Sequence, residues 1–364
     1  MALPSSARLT IDLDALAHNY GVLRAHAPGA EAAPVVKGDG YGLGAGAIGR
    51  RLWAEGARSF FVARLTEGEA LRAALGPERP AVIYVLDGMT SGTAPRLLAA
   101  DLTPSLTSVP QIEAAGSFAS GLGRPLAVAL HVDTGMNRQG ITPDQAMALA
   151  QSRDRLAHLE IGLVMSHLGS APEPRSPRNA RQLERFAAVR KLFPDARASF
   201  AASAGIFLGE DYRFEMVRPG VSLYGGGPEE RPDARLKAVA TLEAPILDIR
   251  NIEAGETVGY GSSRIVDRPT RVAVVAAGYA DGLVRAAKAA GHGWYAGAPR
   301  PFLIVTMDLI LVEIGDTPAG LGDMVELMGP NAHIDDLAAA AGTVAHECLV
   351  RLSPRAERVY LGEV

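Results

Sequence analysis

The sequence predicts an α/β fold, a TIM (β/α)8 barrel N-terminal domain followed by a mainly β C-terminal domain, and three observations carry that expectation. Short β-branched runs alternate with Ala/Leu/Arg-rich segments through the first 225 residues, the pattern of parallel strands each followed by a covering helix. A stretch rich in Gly, Pro and charge then interrupts the alternation, from Gly225 to Arg235. Beyond it, apolar runs are separated by Gly, Pro and Asp turns, with one apolar-rich segment near Asp335 to Ala341.

Eight strands can be counted in the first part, which is the number a closed barrel needs. They centre on Val35-Val36, Phe60 to Val62, Val82 to Val85, Thr103 to Ser105, Ala127 to Val132, Ile161 to Met165, Ala198 to Phe200 and Met216 to Arg218. One covering helix is plain: Leu183, Phe186, Val189 and Phe193 share a face, with Arg181, Glu184, Arg185 and Lys191 among the polar positions. After the interruption, Leu242 to Ile249, Val272 to Ala276, Leu303 to Val305, Leu309 to Ile314 and Met324 to Leu327 read as strands. The expected domains are therefore 1–230, the barrel, and 231–364, mainly β. A chain of 364 residues agrees with about two domains at ~150 residues each.

Composition excludes several function classes. With 36 basic against 40 acidic side chains the net charge is −4, so there is no electrostatic footprint for nucleic acid or an anionic membrane. Small molecules are the expected partners. Cys348 is the single cysteine, which forbids an intrachain disulfide and suits a reducing compartment. No run of roughly 18 apolar residues occurs, and the opening residues lack a basic segment followed by an apolar one. A cytoplasmic location is expected.

The candidate chemistry gathers at predicted strand ends. Pro34-Val35-Val36-Lys37-Gly38-Asp39-Gly40-Tyr41-Gly42-Leu43-Gly44 ends a buried strand with a lysine and enters glycine-rich backbone. Desolvation disfavours an ammonium, so a lysine flanked by apolar strand suits a Schiff base, although a lysine snorkelling at a barrel rim explains the same pattern. Gly44-Ala45-Gly46-Ala47-Ile48-Gly49 matches a dinucleotide fingerprint but follows a loop, not a strand, which argues against that use. His131 to Arg138 follow the fifth strand, Ser166-His167 the sixth, Ala202-Ser203 the seventh and Arg218 to Gly225 the eighth. Polar side chains and glycine amides around late strands commonly grip phosphate in a barrel. Singly, each also reads as a core histidine, a surface charge, a cap or a turn.

Together the residues resemble the alanine racemases. The likeness rests on Val35 to Gly44, Val132-Asp133-Thr134-Gly135-Met136 with Arg138, Met216 to Gly220, Val258-Gly259-Tyr260-Gly261, Gly278-Tyr279-Ala280-Asp281-Gly282 and Met307-Asp308, in the family's order along nearly the whole chain. The resemblance implies a pyridoxal 5'-phosphate (PLP) barrel followed by a β domain, working as a homodimer in which each site is completed by the partner. It implies interconversion of L- and D-alanine by two bases, feeding D-alanine to peptidoglycan.

Residue by residue, the resemblance implies that Lys37 holds PLP and serves as base for the D enantiomer, and that Tyr260 serves the L enantiomer. A planar carbanion must lose its proton on one face and regain one on the other, so two groups must flank it. A phenol of ordinary pKa ~10 needs help to act as a base; His167 and Arg218 match the groups the family places there. Arg218 also matches the residue facing the PLP ring nitrogen, where a guanidinium keeps its proton and leaves the ring a weaker electron sink. Tyr41, Ser203 and the Gly220 and Val221 amides match the phosphate grip; Arg138 matches the group beside the ring hydroxyl and the substrate carboxylate; Met307 fits a substrate-contacting main-chain position near the partner's site.

Two positions depart from the family pattern. His131 stands where many relatives carry a carbamylated lysine that steadies the equivalent of Arg138, so a neutral imidazole or an anion is expected to take that role. His346 stands where a tyrosine commonly touches the phosphate and narrows the entrance, which predicts weaker PLP retention or a broader substrate range. Other readings are a broader-specificity racemase acting on serine or basic amino acids, a PLP-dependent amino-acid decarboxylase, and a PLP carrier. A decarboxylase usually sets a carboxylate where Arg218 stands, and a single-domain carrier would lack Tyr260.

Overall fold

The computed structural model describes residues 6–260 and 264–363. Met1 to Ser5, Val364 and the Gly261 that closes the Val258–Gly261 motif lie outside the described residues. The chain divides into two compact units, Asn19–Leu223 and a second made of the residues up to His18 together with Tyr224–Glu363.

The first strand of the chain, β1 (Arg8–Asp12), belongs to the second unit. The first unit contains eight parallel strands: β2 (Glu31–Ala32), β3 (Ser59–Val62), β4 (Val82–Val85), β5 (Thr103–Leu106), β6 (Leu126–His131), β7 (Leu159–Met165), β8 (Arg197–Ala202) and β9 (Met216–Arg218). They pair in the order β2-β9-β8-β7-β6-β5-β4-β3. A parallel bridge between Val35 and Phe61, with Phe61 N–H donating to Pro34 O and Val36 N–H to Phe61 O at 2.9 Å each, closes the sheet on itself. The first strand is regular for only two residues, yet its ladder bonds continue to Val36, where the sequence placed it.

These strands carry apolar residues on both faces because helices cover the outside and packed side chains fill the inside. Phe60, Phe61 and Val62 are each fully buried. The helix Pro177–Arg190 shows the outer packing: it starts with proline at its first position, and its buried face includes Phe186 and Val189. The Phe186 ring stacks on Phe200 of β8, centroids 4.8 Å apart, and meets Phe214 edge-on at 5.0 Å.

In the second unit the 13-residue β10 (Ala240–Ile252) is the spine. The other strands are the short β11 (Thr257–Val258) and β12 (Arg264–Ile265), then β13 (Thr270–Val275), β14 (His292–Tyr295), β15 (Ala298–Val305), β16 (Ile310–Glu313), β17 (Met324–Met328) and β18 (Glu357–Leu361). The first half of β10, Leu242 to Pro245, pairs with β17 and its second half, from Ile246 on, with β13, whose register shifts between Ile246 and Asp248. With β16, β15 and β14 between them, six strands form a closed ring. β1 lies antiparallel to β10, Leu9 opposite Leu242, and β18 runs parallel to β1.

Grouping residues before His18 with the β unit differs from the expected division into consecutive blocks. Leu9 and Ile11, both fully buried, alternate with Arg8, Thr10 and Asp12, so the strand signal is present locally. Its partner lies more than 200 residues downstream, and nothing local specifies that pairing. The expected strands at 242–249, 272–276, 303–305, 309–314 and 324–327 all fall on observed elements, and the apolar-rich segment near 335 forms the helix Ile334–Ala340. β1, β11, β12, β14 and β18 went unread.

Truncating Phe186 removes a fully buried ring from the helix-to-barrel contact. Phe186→Ala is expected to lower the unfolding free energy by ~3–5 kcal/mol in urea titration; a loss under about 1 kcal/mol would contradict the packing described.

Candidate active site

Every barrel residue singled out from the sequence lies at or just beyond the carboxyl end of a strand. Lys37 follows Val36, His131 ends β6, His167 lies two residues past β7, Ser203 follows β8 and Arg218 ends β9. Parallel strands place their carboxyl ends on one face, where a barrel keeps its chemistry. Tyr260, Met307 and His346 lie on the other unit.

Lys37 opens a left-handed turn. Gly38, Asp39, Gly40, Tyr41 and Gly42 have φ between 53° and 82°, a region costing an L-residue roughly 1–2 kcal/mol, which explains glycine at three of the five positions. The turn is closed by Gly40 N–H to Val36 O at 2.9 Å and Gly42 N–H to Gly38 O at 2.7 Å. Asp39 Oδ1 accepts from the Ala45 amide, and Glu67 Oε1 accepts from the Gly38 amide at 2.8 Å. The turn brings the buried Tyr41 to Gly220: a Cβ at Gly220 would stand 2.5 Å from the Tyr41 hydroxyl. Burial pushes the Tyr41 phenol well above its ordinary range.

Ser203 Oγ accepts the Gly220 amide at 2.9 Å and the Ser222 amide at 3.2 Å. Those bonds use its lone pairs and leave its O–H as a donor. Beside it, Val221 is buried.

Arg218 is 4% exposed and has no charged partner among its described bonds. Nη1 donates to Ser199 Oγ at 2.5 Å, and Nη2 donates to Ser166 O and, at 3.5 Å, to Phe200 O. Ser199 in turn donates to Met216 O at 2.7 Å. The guanidinium carbon lies 5.8 Å from the centre of the Phe61 ring. Burial lowers Arg218 to about 10, still cationic at neutral pH.

That cation, with burial, shapes its neighbours. Lys37 is lowered by burial first, then by the Arg138 charge, with Glu67 opposing and Arg218 adding to the fall. His131 falls to about 3, through burial and then Arg218 and Arg138. His167 falls well below its ordinary range for the same reasons in the same order. Both rings are therefore neutral near pH 7. His131 Nδ1 is buried without a hydrogen-bond partner, and His131 and Arg138 feel each other as opposed positive charges when the ring is protonated.

The loop bearing Arg138 is organised by Asp133, whose carboxylate accepts amides of Gly135 at 2.7 Å, Met136 at 2.8 Å and Arg138 at 3.0 Å. Burial works to raise Asp133, but the amide donors together hold it below the usual carboxylate range. The sequence reading missed Gln182, which is buried on the helix Pro177–Arg190. Its amide donates to His167 O at 2.9 Å and Thr134 Oγ1 at 3.3 Å, and its oxygen accepts Gly169 N–H at 2.8 Å. One side chain thus ties the loops after β6 and β7. A glutamine next to Leu183 on an amphipathic helix reads as solvated face, and only the buried position reveals its use.

On the β unit, Tyr260 follows β11 in the connection to β12 and is 82% exposed. The hairpin base is anchored by Val258 and Val266 packed with Ile304. Met307 stands at the corner of a tight turn in which Thr306 N–H donates to Leu309 O at 2.9 Å; it is 52% exposed. His346 is an exposed residue in the helix Ala345–Val350.

Comparison with known proteins finds the family model "Alanine racemase, N-terminal domain" over residues 11–228 and "Alanine racemase, C-terminal domain" over residues 239–360. A catabolic alanine racemase of Agrobacterium fabrum is 41% identical over 98% of this chain and 92% of its own length. An alanine racemase of a Methylobacterium species is 43% identical over 98% of each. Among solved structures, alanine racemase from Bartonella henselae with covalently bound pyridoxal phosphate superposes with a TM-score of 0.92 at 34% identity, over 98% of this chain and 100% of that one. The biosynthetic alanine racemase of Pseudomonas aeruginosa gives 0.91 at 33% identity, over 98% and 99%.

The depressed histidines make folding acid-sensitive. A ring lowered when folded takes up its proton in the unfolded chain first, so its contribution is full above the unfolded pKa near 6.5 and is lost as pH falls toward about 3 for His131. Unfolding free energy measured at successive pH values should fall through that window, at most ~1.4 kcal/mol per pH unit for each such ring. His131→Asn should make the fall shallower; identical slopes would contradict a neutral buried His131.

Proposed function

This chain belongs to the alanine racemase family, and on that premise we propose how its own residues perform the reaction. It is a PLP-dependent racemase that interconverts L- and D-alanine. Lys37 and Tyr260 are the two bases, and the D-alanine formed supplies peptidoglycan synthesis. Lys37 supports this reading most directly, through a partly desolvated amine at a strand end, facing two arginines.

The barrel residues fit the cofactor. The bare Cα of Gly220 beneath the Tyr41 hydroxyl, the Ser203 O–H and the Val221 amide make a small polar cradle for its phosphate. Lys37 supplies the amine, and Arg218 would face the ring nitrogen. Bound there, PLP supplies an electron sink for the negative charge that develops at the substrate α-carbon.

A lowered lysine carries more free amine at neutral pH, so Lys37 can condense with a carbonyl with loss of water and, once the substrate's amine has displaced it, take or return an α-proton at its freed Nζ. Arg218 cannot easily give up its proton even at about 10, so facing the ring nitrogen it would donate a hydrogen bond without protonating it, and the bound group would supply a weaker electron sink. Arg138 offers a cation to the substrate carboxylate, its loop held by Asp133. Neutral His167 can accept or donate a single hydrogen bond without adding a second charge beside Arg218.

The opposite face needs a second base. Tyr260 is presented on an anchored hairpin and is highly exposed, as is Ile265 at 64%, a surface suited to cover by a second copy. We therefore place Tyr260 and Met307 in the site of the partner within a homodimer. His346, shorter than tyrosine, leaves more room at the entrance.

In deuterium oxide, wild-type enzyme should place deuterium at the α-carbon of either enantiomer as optical rotation decays. Tyr260→Phe should slow racemisation by ~10²–10⁴ while D-alanine still exchanges its α-proton with its rotation unchanged. Racemisation by that variant at the wild-type rate, or release of carbon dioxide by the wild type, would overturn the two-base reading.

A further inference from the structure

We propose that Glu67 is a positioning residue for Lys37, fixing the aim of its amine through the Gly38 amide and setting an anionic group within its electrostatic reach; this rests on Lys37 being the attachment point for PLP. Glu67 sits in the first turn of the helix Leu65–Leu75, after β3. Its Oε2 accepts the amides of Ala63 at 2.8 Å and Arg64 at 3.1 Å, as an acidic residue in a first helical turn commonly does. Its Oε1 does something a cap does not require: it accepts the Gly38 amide at 2.8 Å, from a turn 29 residues earlier and directly after Lys37. One carboxylate thus locks the start of a left-handed turn, two of whose residues, Asp39 and Tyr41, adopt that conformation at a cost. Releasing the Gly38 amide frees the turn that carries Lys37 on one side and Tyr41 on the other.

The charge matters as well as the bond. Lys37 is faced by Arg138 from the loop after β6, Arg218 from β9, His167 from the loop after β7 and Glu67 from the helix after β3. Of these, Glu67 alone is anionic, and it opposes the fall that burial and the arginines impose. With Glu67 neutral, the amine sheds its proton at lower pH.

The test uses full-length apoenzyme and PLP as probe, following the visible absorbance of the lysine-bound aldehyde against pH, with thermal midpoints alongside. Glu67→Gln keeps an acceptor for Gly38 but removes the charge: the pH of half-maximal attachment rate should move down. Glu67→Asp keeps the charge but shortens the reach: the half-maximal pH should stay near wild type while PLP affinity falls several-fold. The Asp variant carries the test if the Gln variant does not fold. Unchanged half-maximal pH and affinity in the variants would overturn the proposal, as would a lowered thermal midpoint alone, which is what a simple helix cap gives. Lys37→Ala is the control: if it develops the same absorbance, the attachment reading itself fails, whatever Glu67 does.

Discussion

A guanidinium buried at the carboxyl end of the barrel, with only neutral partners among its described bonds, is the constraint around which this site is arranged. A cation is normally brought out of water beside a carboxylate, because its lost hydration is costly. Arg218 instead meets Ser199 Oγ, Ser166 O and Phe200 O, two of them carbonyls near the ends of adjacent strands. Parallel strands that stop together leave carbonyls at one face, and these partly replace the missing counter-ion. The field is left positive, and it falls on Lys37, His131 and His167 alike. The neutral imidazoles and the loosened lysine proton follow from burial first and then from charge, with Arg218 ahead of Arg138 at His131 and His167 and behind it at Lys37.

Such a field is useful only if the groups inside it cannot drift. Three side chains outside the strands hold them. Asp133 gathers successive amides of the Arg138 loop, Gln182 ties that loop to the one bearing His167, and Ser203 holds the backbone that follows Arg218. Apart from Gln182 to Thr134 Oγ1, these bonds join a side chain to a main-chain group, which fixes backbone while leaving the reactive side chains free to meet a ligand. His131 makes no such tie: among the described residues no hydrogen bond joins it to Arg138, and its Nδ1 is buried without a partner.

Much of this was legible in the sequence, for physical reasons that differ by element. Barrel strands buried on both faces, such as Phe60 to Val62, announce themselves as unbroken apolar runs. The spacing Lys37-Gly-Asp-Gly-Tyr-Gly marks a backbone with positive φ, although the run of five left-handed residues is visible only in the structure. Long-range pairing was not legible: β1 was not among the strands expected from the sequence, and its place beside β10 depends on a segment far downstream. Nor was Gln182, because a polar residue on a helix carries no local sign of whether it meets water or a loop. Glu67, in the first turn of its helix, was not singled out for the same reason.

The most direct test of the central claim is a nitrogen-15 NMR titration of the histidine rings in apoenzyme, wild type against Arg218→Gln. The account predicts that the wild-type His131 and His167 rings remain neutral far below the ordinary histidine midpoint of about 6.5, and that removing the guanidinium moves both midpoints upward. Wild-type midpoints near 6.5, or midpoints unmoved in the Arg218→Gln protein while it remains folded, would contradict it.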